Sequence, residues 1–257
     1  MNAPLPLQGM GIVITRPRVA AEALATSLAR AGARPFVFPA LAIEPLGETP
    51  ALQAALTRLP ECEIAIFISV NAVEHGLAAA RRSGPWPAGT RVAAVGEATA
   101  KALRNSGFPA VISPRDRHDS EGLLACEELK AVAGRHILIF RGQGGRELLK
   151  AALESRGAHV SYVECYRRMR PEEDPAELLG AWSRGDIHAV SVLSAETLDN
   201  FVAMIGPAGE SLLQSAALVV PHESIAAKPL ARRFARVVVA APDEGMVGAL
   251  AALRIRR

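Results

Sequence analysis

Residues 63–77 read EIAIFISVNAVEHGL, and residues 186–201 read DIHAVSVLSAETLDNF. Each stretch opens with a short, mostly apolar run, stops at a serine (Ser69 or Ser194), and continues with helix-forming residues. A run of that length suits a buried strand, and a serine just before a helical pattern suits an N-cap. The same strand-to-serine-to-helix corner therefore occurs twice in one chain.

Working outward from the two corners, the rest of the chain repeats as well. GIVITRP (11–17) is followed by an amphipathic stretch with Leu24 and Leu28 one turn apart, a stop at Gly32 and a second extended run. RHILIFRG (135–142) is followed in the same way by Leu149, Leu153, Gly157 and HVSYVECYRR. Helix faces need the spacing of the leucines, and helix C-caps favour glycine. A third pair is RVAAVGEATAKALRNSGFPAVIS (91–113) with ALVVPHESIAAKPLARRFARVVV (217–239), which matches Gly96 to Pro221 and Thr99 to Ser224. SEGLLACEEL and EGMVGALAAL close the two copies. Strands alternating with helices at this spacing predict βαβ units and parallel sheets, here as two doubly wound α/β lobes.

In such sheets ligands bind outside the carboxyl ends of the strands. Lobes facing one another would put the corners on one cleft. Helix N-termini supply unpaired N–H groups and partial positive charge. The candidates at these corners are Thr15, Arg16, Ser69, Asn71, Gly96, Thr99, Ser120, Arg141, Gly142, Ser194 and Ser224. Ser69, Asn71, Ser120 and Ser194 each fit simple capping; the repeated arrangement as a whole describes a cleft rich in anion-binding donors. Arg16 and Arg141 hold equivalent places after the first strand of each repeat, where a guanidinium could grip a carboxylate or form a surface ion pair.

Composition narrows the classes. The 257 residues allow one large or two modest domains, and the 4% aromatic content leaves the core to aliphatic side chains. A net charge of +3 with scattered arginine pairs fits a small anionic ligand better than nucleic acid. Cys62, Cys126 and Cys165 lie far apart, so neither a metal cluster nor a disulfide framework is expected. No signal-peptide pattern or membrane-length apolar run occurs, and the chain reads as cytoplasmic.

RGQGGREL lacks the third glycine of a dinucleotide fingerprint, and neither a phosphate-binding P-loop nor a nucleophile elbow is present. His222 has no evident acid partner, and the other five histidines offer less. Tyr162 and Tyr166, four apart in HVSYVECYRR, are predicted to share one strand face. Tyr166 is the candidate proton donor or orienting group.

Over nearly its whole length the chain resembles the uroporphyrinogen-III synthase family. The likeness is carried by VITRP, FISVNAV, AAVGEATAKALRNSGF, DSEGLL, FRGQGGRELLKAALESRGAHVSYVECYRR, LSAETL and PHESIA in that order and spacing. It implies two flavodoxin-like lobes: residues 1–40 with 168–257, and 41–167. The extended segments PFVFPALAIEP and HVSYVECYRRM would link them. It implies a hydro-lyase of tetrapyrrole biosynthesis that cyclises hydroxymethylbilane, a linear tetrapyrrole with eight carboxylates, inverting the last ring and losing water. It further implies no metal or organic cofactor, a monomer, and hand-over from hydroxymethylbilane synthase. Tyr166 matches the favoured functional tyrosine, and Thr99 and Ser224 the repeated hydroxyl positions. Two departures stand out: Ile68 replaces the threonine usual before the corner serine, and Ser224 replaces a threonine or arginine. The alternative is a non-catalytic, two-lobed binding or sensor protein for small anions.

Overall fold

A computed structural model describes residues 5–242 and 244–255. In chain order the strands are β1 (Gly11–Ile14), β2 (Arg34–Val37), β3 (Ala42–Pro45), β4 (Ile64–Phe67), β5 (Arg91–Ala94), β6 (Val111–Ile112), β7 (His136–Gly142), β8 (His159–Met169), β9 (Ala189–Ser191), β10 (Ala217–Val220) and β11 (Arg236–Val239). The helices are α1 (Arg18–Arg30), α2 (Pro50–Leu56), α3 (Val70–Ser83), α4 (Glu97–Asn105), α5 (Ser120–Leu124), α6 (Leu148–Ser155), α7 (Ala176–Ser183), α8 (Ala195–Glu210), α9 (Glu223–Ala226) and α10 (Glu244–Ile255).

Two compact units result. One takes the chain up to Ala42 and from Met169 onward; the other is Ile43–Arg168. The chain passes between them inside β3 and at the end of β8.

The first unit holds a sheet in the order β11-β10-β9-β1-β2, with every pairing parallel. Numbered within the unit this is 2-1-3-4-5, the flavodoxin-like arrangement. The second unit orders its strands β3-β8-β7-β4-β5-β6. From β8 to β6 the pairings are again parallel. Overlaying the orders sets β7 on β1, β8 on β2, and β4, β5, β6 on β9, β10, β11. These are the pairs that the sequence repeat predicts. The second unit is the first with its β-α-β opening moved to the end of the unit's own segment.

Period-two alternation builds the cores. In the second unit Ala65, Phe67, Leu138 and Phe140 face one side with α3, while Ile64, Ile66, Ile137 and Ile139 face the other with Leu149 and Leu153 of α6. In the first, Val13, Val190 and Leu218 face Phe201 and Trp182, and Ile12, Ile14 and Val219 face Leu24 and Leu28 of α1. The few aromatics are used as anchors: Phe67 stacks on Phe140 at 4.5 Å, and Trp86 closes over both. Gly32 and Gly157 end α1 and the turn after α6 at φ +93° and +84°, as their stop positions predict.

Cys62 and Cys165 are buried. Burial pushes their thiols from the ordinary 9.0 up to about 11 and about 12. The folded protein thus keeps protons that the unfolded chain sheds above pH 9. This contribution to stability is whole below that pH and is lost as pH climbs toward 11–12. Melting temperature should therefore fall more steeply above pH 9 in the wild type than in Cys62→Ala/Cys165→Ala. Parallel slopes would refute the assignment.

Candidate functional site

In the first unit the chain leaves β1 through Thr15 and Arg16 and enters α1 with no side-chain cap. Thr15 is fully buried and donates to the Ser191 carbonyl at 2.7 Å, tying β1 to β9. Its hydroxyl is spent on the fold. Arg16 is half-buried just before the helix. Ser194 caps α8, accepting from the Thr197 amide at 3.1 Å, with its Oγ 2.8 Å from the Thr197 hydroxyl. Ser224 is the exposed second residue of the four-residue α9, whose N-cap is His222.

That cap position corrects the sequence pairing by one residue. Gly96 caps α4 and His222 caps α9, so Thr99 answers to Ile225 and Ser224 to Ala98. Burial agrees: Thr99 and Ile225 are 5% and 6% exposed and belong to the core side of their helices. The matched hydroxyls in the sequence came from aligning Gly96 with Pro221, but one residue separates strand from cap in both units, Val95 in one and Pro221 in the other, so Gly96 answers to His222.

In the second unit Ser69 caps α3 by accepting from the Ala72 amide at 3.1 Å. Asn71 is the second residue of that helix and half-buried. Ser120 does not cap α5; Asp119 does, through the Gly122 amide at 2.8 Å. Ser120 is the first helical residue. Gly96 presents only backbone, with the His118 carbonyl nearby: a β-carbon there would sit 3.8 Å from it.

Tyr166 is 1% exposed, and its hydroxyl lies 3.1 Å from Ser69 Oγ. Its ring rests on Gly142, where a β-carbon would come within 2.6 Å of it. His75 of α3 lies against the ring, with centroids 5.8 Å apart. The two tyrosines do not share a face, contrary to the expectation from their spacing. The register between β7 and β8 pairs Arg141 with Glu164 and then Gly142 with Tyr166, leaving Cys165 as an extra residue. This bulge reverses the alternation, sending Tyr162 toward the α6 side and Tyr166 toward the α3 side.

Arg141 is 2% exposed. Its donors go to the carbonyls of Gly142 (3.3 Å), Arg146 (3.5 Å) and Gly144, and to Glu147 Oε1 at 3.3 Å. The guanidinium stacks 4.3 Å above the Tyr162 ring. The Tyr162 hydroxyl donates to Glu147 at 2.7 Å. Burial, together with that acceptor, pushes Tyr162 up to about 12, and the same hydrogen bond holds Glu147 below its usual range. The structure thus draws Ser69, Gly142 and Tyr166 into one contact group, while Arg141 faces its own loop.

Because every pairing from β8 to β6 and throughout the first sheet is parallel, the candidates cluster at the carboxyl edge of each unit. The sequence reading missed what stands beside them. Among the described residues the exposed large hydrophobics are Leu5, Val19, Val70, Leu148, Leu193 and Val239. All but Leu5 lie at those same edges, on the first turn of α1, α3 or α6, just before α8, or at the end of β11. An aliphatic residue beside a helix cap, where polar residues are the rule, is the signal that could have found them. No group of three or more described His, Cys, Asp and Glu side chains is placed to hold a metal ion, and no described helix is long and apolar enough to cross a membrane.

The architecture is that of a doubly wound α/β protein built twice, with donors collected at the carboxyl edges of its sheets. A family model described as uroporphyrinogen-III synthase HemD matches residues 22–249. Uroporphyrinogen-III synthase of Salmonella typhimurium is 40% identical over 191 residues, covering 74% of this chain and 77% of the relative. That of Escherichia coli is 34% identical over 197 residues, covering 76% and 80%. A mutant uroporphyrinogen III synthase from the extreme thermophile Thermus thermophilus superposes with a TM-score of 0.61 at 19% identity, covering 96% of this chain and 98% of that one. The Helicobacter pylori structure does so with a TM-score of 0.57 at 14% identity, covering 96% and 99%; at these identities both speak for the fold. The chain belongs to the uroporphyrinogen-III synthase family, hydro-lyases of tetrapyrrole biosynthesis.

Proposed function

We propose that this chain cyclises hydroxymethylbilane to uroporphyrinogen III, inverting the last pyrrole ring and releasing water. The observation that carries the reading is the company kept at the carboxyl edges: helix N-termini and hydroxyls beside exposed Val19, Val70, Leu148 and Leu193. Such a surface suits a ligand of flat apolar rings bearing anionic arms. At the edge of the first unit Arg16 and the N-terminal turn of α8 suit carboxylates, and at the edge of the second the turns of α3 and α4 do; the aliphatic side chains at each edge suit pyrroles.

The Ser69–Tyr166 pair supports the chemistry. Ser69 Oγ accepts from the Ala72 amide and can accept from Tyr166, which fills both of its lone pairs. Its single proton is then left for a ligand. In the proposed reaction Ser69 donates that proton to the departing hydroxyl of the substrate, and the covered Tyr166 replaces it. The C–O bond breaks and water leaves. The substituted carbon of the last ring attacks the freed methylene, giving a spiro intermediate. Rearrangement closes the ring, and the proton then lost from carbon passes to Ser69 Oγ as Ser69 returns its own proton to Tyr166. Electron-rich pyrroles expel the hydroxyl readily, so a weak acid suffices, and holding one folded conformer of the substrate is the larger task.

The reading includes a cytoplasmic monomer that receives its substrate from hydroxymethylbilane synthase. Its test is to supply hydroxymethylbilane and resolve the uroporphyrinogen isomers. The III isomer should dominate, and Arg16→Ala should raise KM roughly tenfold with kcat nearly unchanged, as expected for a contact remote from the reacting carbon. If only the I isomer formed, at the spontaneous rate, the proposal would be wrong.

A further inference from the structure

The sequence places Arg141 among the ligand contacts, yet almost all of its hydrogen-bonding capacity is turned inward. It is 2% exposed and gathers the carbonyls of Gly142, Gly144 and Arg146 and the carboxylate of Glu147 around one guanidinium. The loop can wrap it because Gly144 and Gly145 take φ of +72° and +107°, and a β-carbon on Gly145 would lie 2.6 Å from Arg141 Nη2. The wrapped loop is stitched to β8 on both sides of the bulge. Gly144 donates to Glu164 Oε1 at 3.1 Å, Gln143 donates to the Tyr166 carbonyl at 2.8 Å, and the Cys165 thiol donates to the Arg141 carbonyl at 3.3 Å.

These are the three residues, Glu164 to Tyr166, across which the strand alternation reverses. Were Cys165 paired in regular register with no bulge, period-two alternation would turn Tyr166 to the α6 side with Tyr162 and away from Ser69. The bulge gives up regular ladder pairing, and the loop around Arg141 supplies replacement partners. We propose that Arg141 is a positioning residue for the Ser69–Tyr166 pair: it folds the 142–147 loop that holds the β8 bulge and so aims Tyr166 at the helix α3 cap. This rests on the catalytic reading of that pair given above. Lysine cannot replace the guanidinium here. Its ammonium carries three donors at one point, whereas the carbonyls and carboxylate lie around a planar fork.

The test combines kinetics with a probe that does not depend on activity. The chain holds only two tyrosines, so 3-fluorotyrosine labelling gives two fluorine resonances, assigned with Tyr162→Phe. In Arg141→Lys, and in the gentler Gly145→Ala should the first variant fold poorly, the Tyr166 resonance should move. The kcat should fall about tenfold or more while KM stays within about twofold. In a Tyr166→Phe background Arg141→Lys should change kcat by less than about twofold, since a lost partner cannot be lost again. A rise in KM at constant kcat, with the Tyr166 resonance unmoved, would make Arg141 a carboxylate contact and overturn the proposal. Additive losses in the double variant would overturn it as well. Should Tyr166→Phe alone keep the wild-type kcat, the catalytic reading of the pair fails, and the fluorine shift still decides whether Arg141 positions the ring.

Discussion

Replacing Tyr166 with phenylalanine is expected to lower kcat for formation of the III isomer by roughly tenfold to a thousandfold, the range for one acid or hydrogen-bonding group. The ring would stay, because its seat on Gly142 and its contact with His75 involve no hydroxyl. Only the 3.1 Å link to Ser69 would go. Stability should change by about 1 kcal/mol, the net value of an ordinary hydrogen bond, which separates loss of function from loss of fold. Ser69→Ala removes the other member and, with it, the α3 cap, at about 1 kcal/mol of stability. Its kcat loss should match that of Tyr166→Phe, and the double variant should be little worse than either single one. Isomer-resolved steady-state kinetics on the three variants decides it. Wild-type kcat in Tyr166→Phe, or fully additive losses, would remove the pair from the mechanism.

Gly142→Ala is expected to be as damaging, from the opposite direction. The added β-carbon would stand 2.6 Å and 2.7 Å from two ring carbons of Tyr166 and 3.1 Å from its oxygen. Carbon atoms in contact sit about 3.5–4.0 Å apart, so the ring must retreat by about 1 Å. It is enclosed, at 1% exposure, between β7 and α3 and has nowhere free to go. Overpacking of this kind costs about 1–3 kcal/mol. The retreat also displaces the hydroxyl from its present place 3.1 Å from Ser69 Oγ. Melting temperature and kcat should therefore fall together, with kcat reduced roughly as far as in Tyr166→Phe. A stable Gly142→Ala enzyme with wild-type kcat would mean that the ring can shift without consequence.

The two variants probe features of different legibility. The corner serines were readable because capping is local: Ser69 and Ser194 bond amides three residues ahead. Even so, the capping signal is good only to about a residue. Asp119 takes the α5 cap that the sequence reading gave to Ser120, because either side chain can cap and the helix starts one residue earlier than expected. The match of Thr99 with Ser224 failed for a similar reason. The spacing from strand end to helix start is the same in both units, and matching glycine to proline paired a cap residue with the one that precedes a cap. The exposed aliphatic residues at the sheet edges escaped notice because a valine or leucine reads as core unless its place beside a helix cap is weighed against the polar rule for such places.

By itself the sequence determined the parallel α/β character, the internal repeat and the serine corners that open α3 and α8. Apolar periodicity, capping and the stop glycines act over a few residues and need no knowledge of neighbours. Sheet order decided that the second unit is a rearranged copy of the first. Tertiary structure alone decided the bulge at Cys165, the side to which Tyr166 turns, and the inward set of Arg141. A bulge exists only as a mismatch between two paired strands, and a guanidinium finds its acceptors only when a distant loop folds back to supply them. Such features are properties of register and return, which no window of the chain contains.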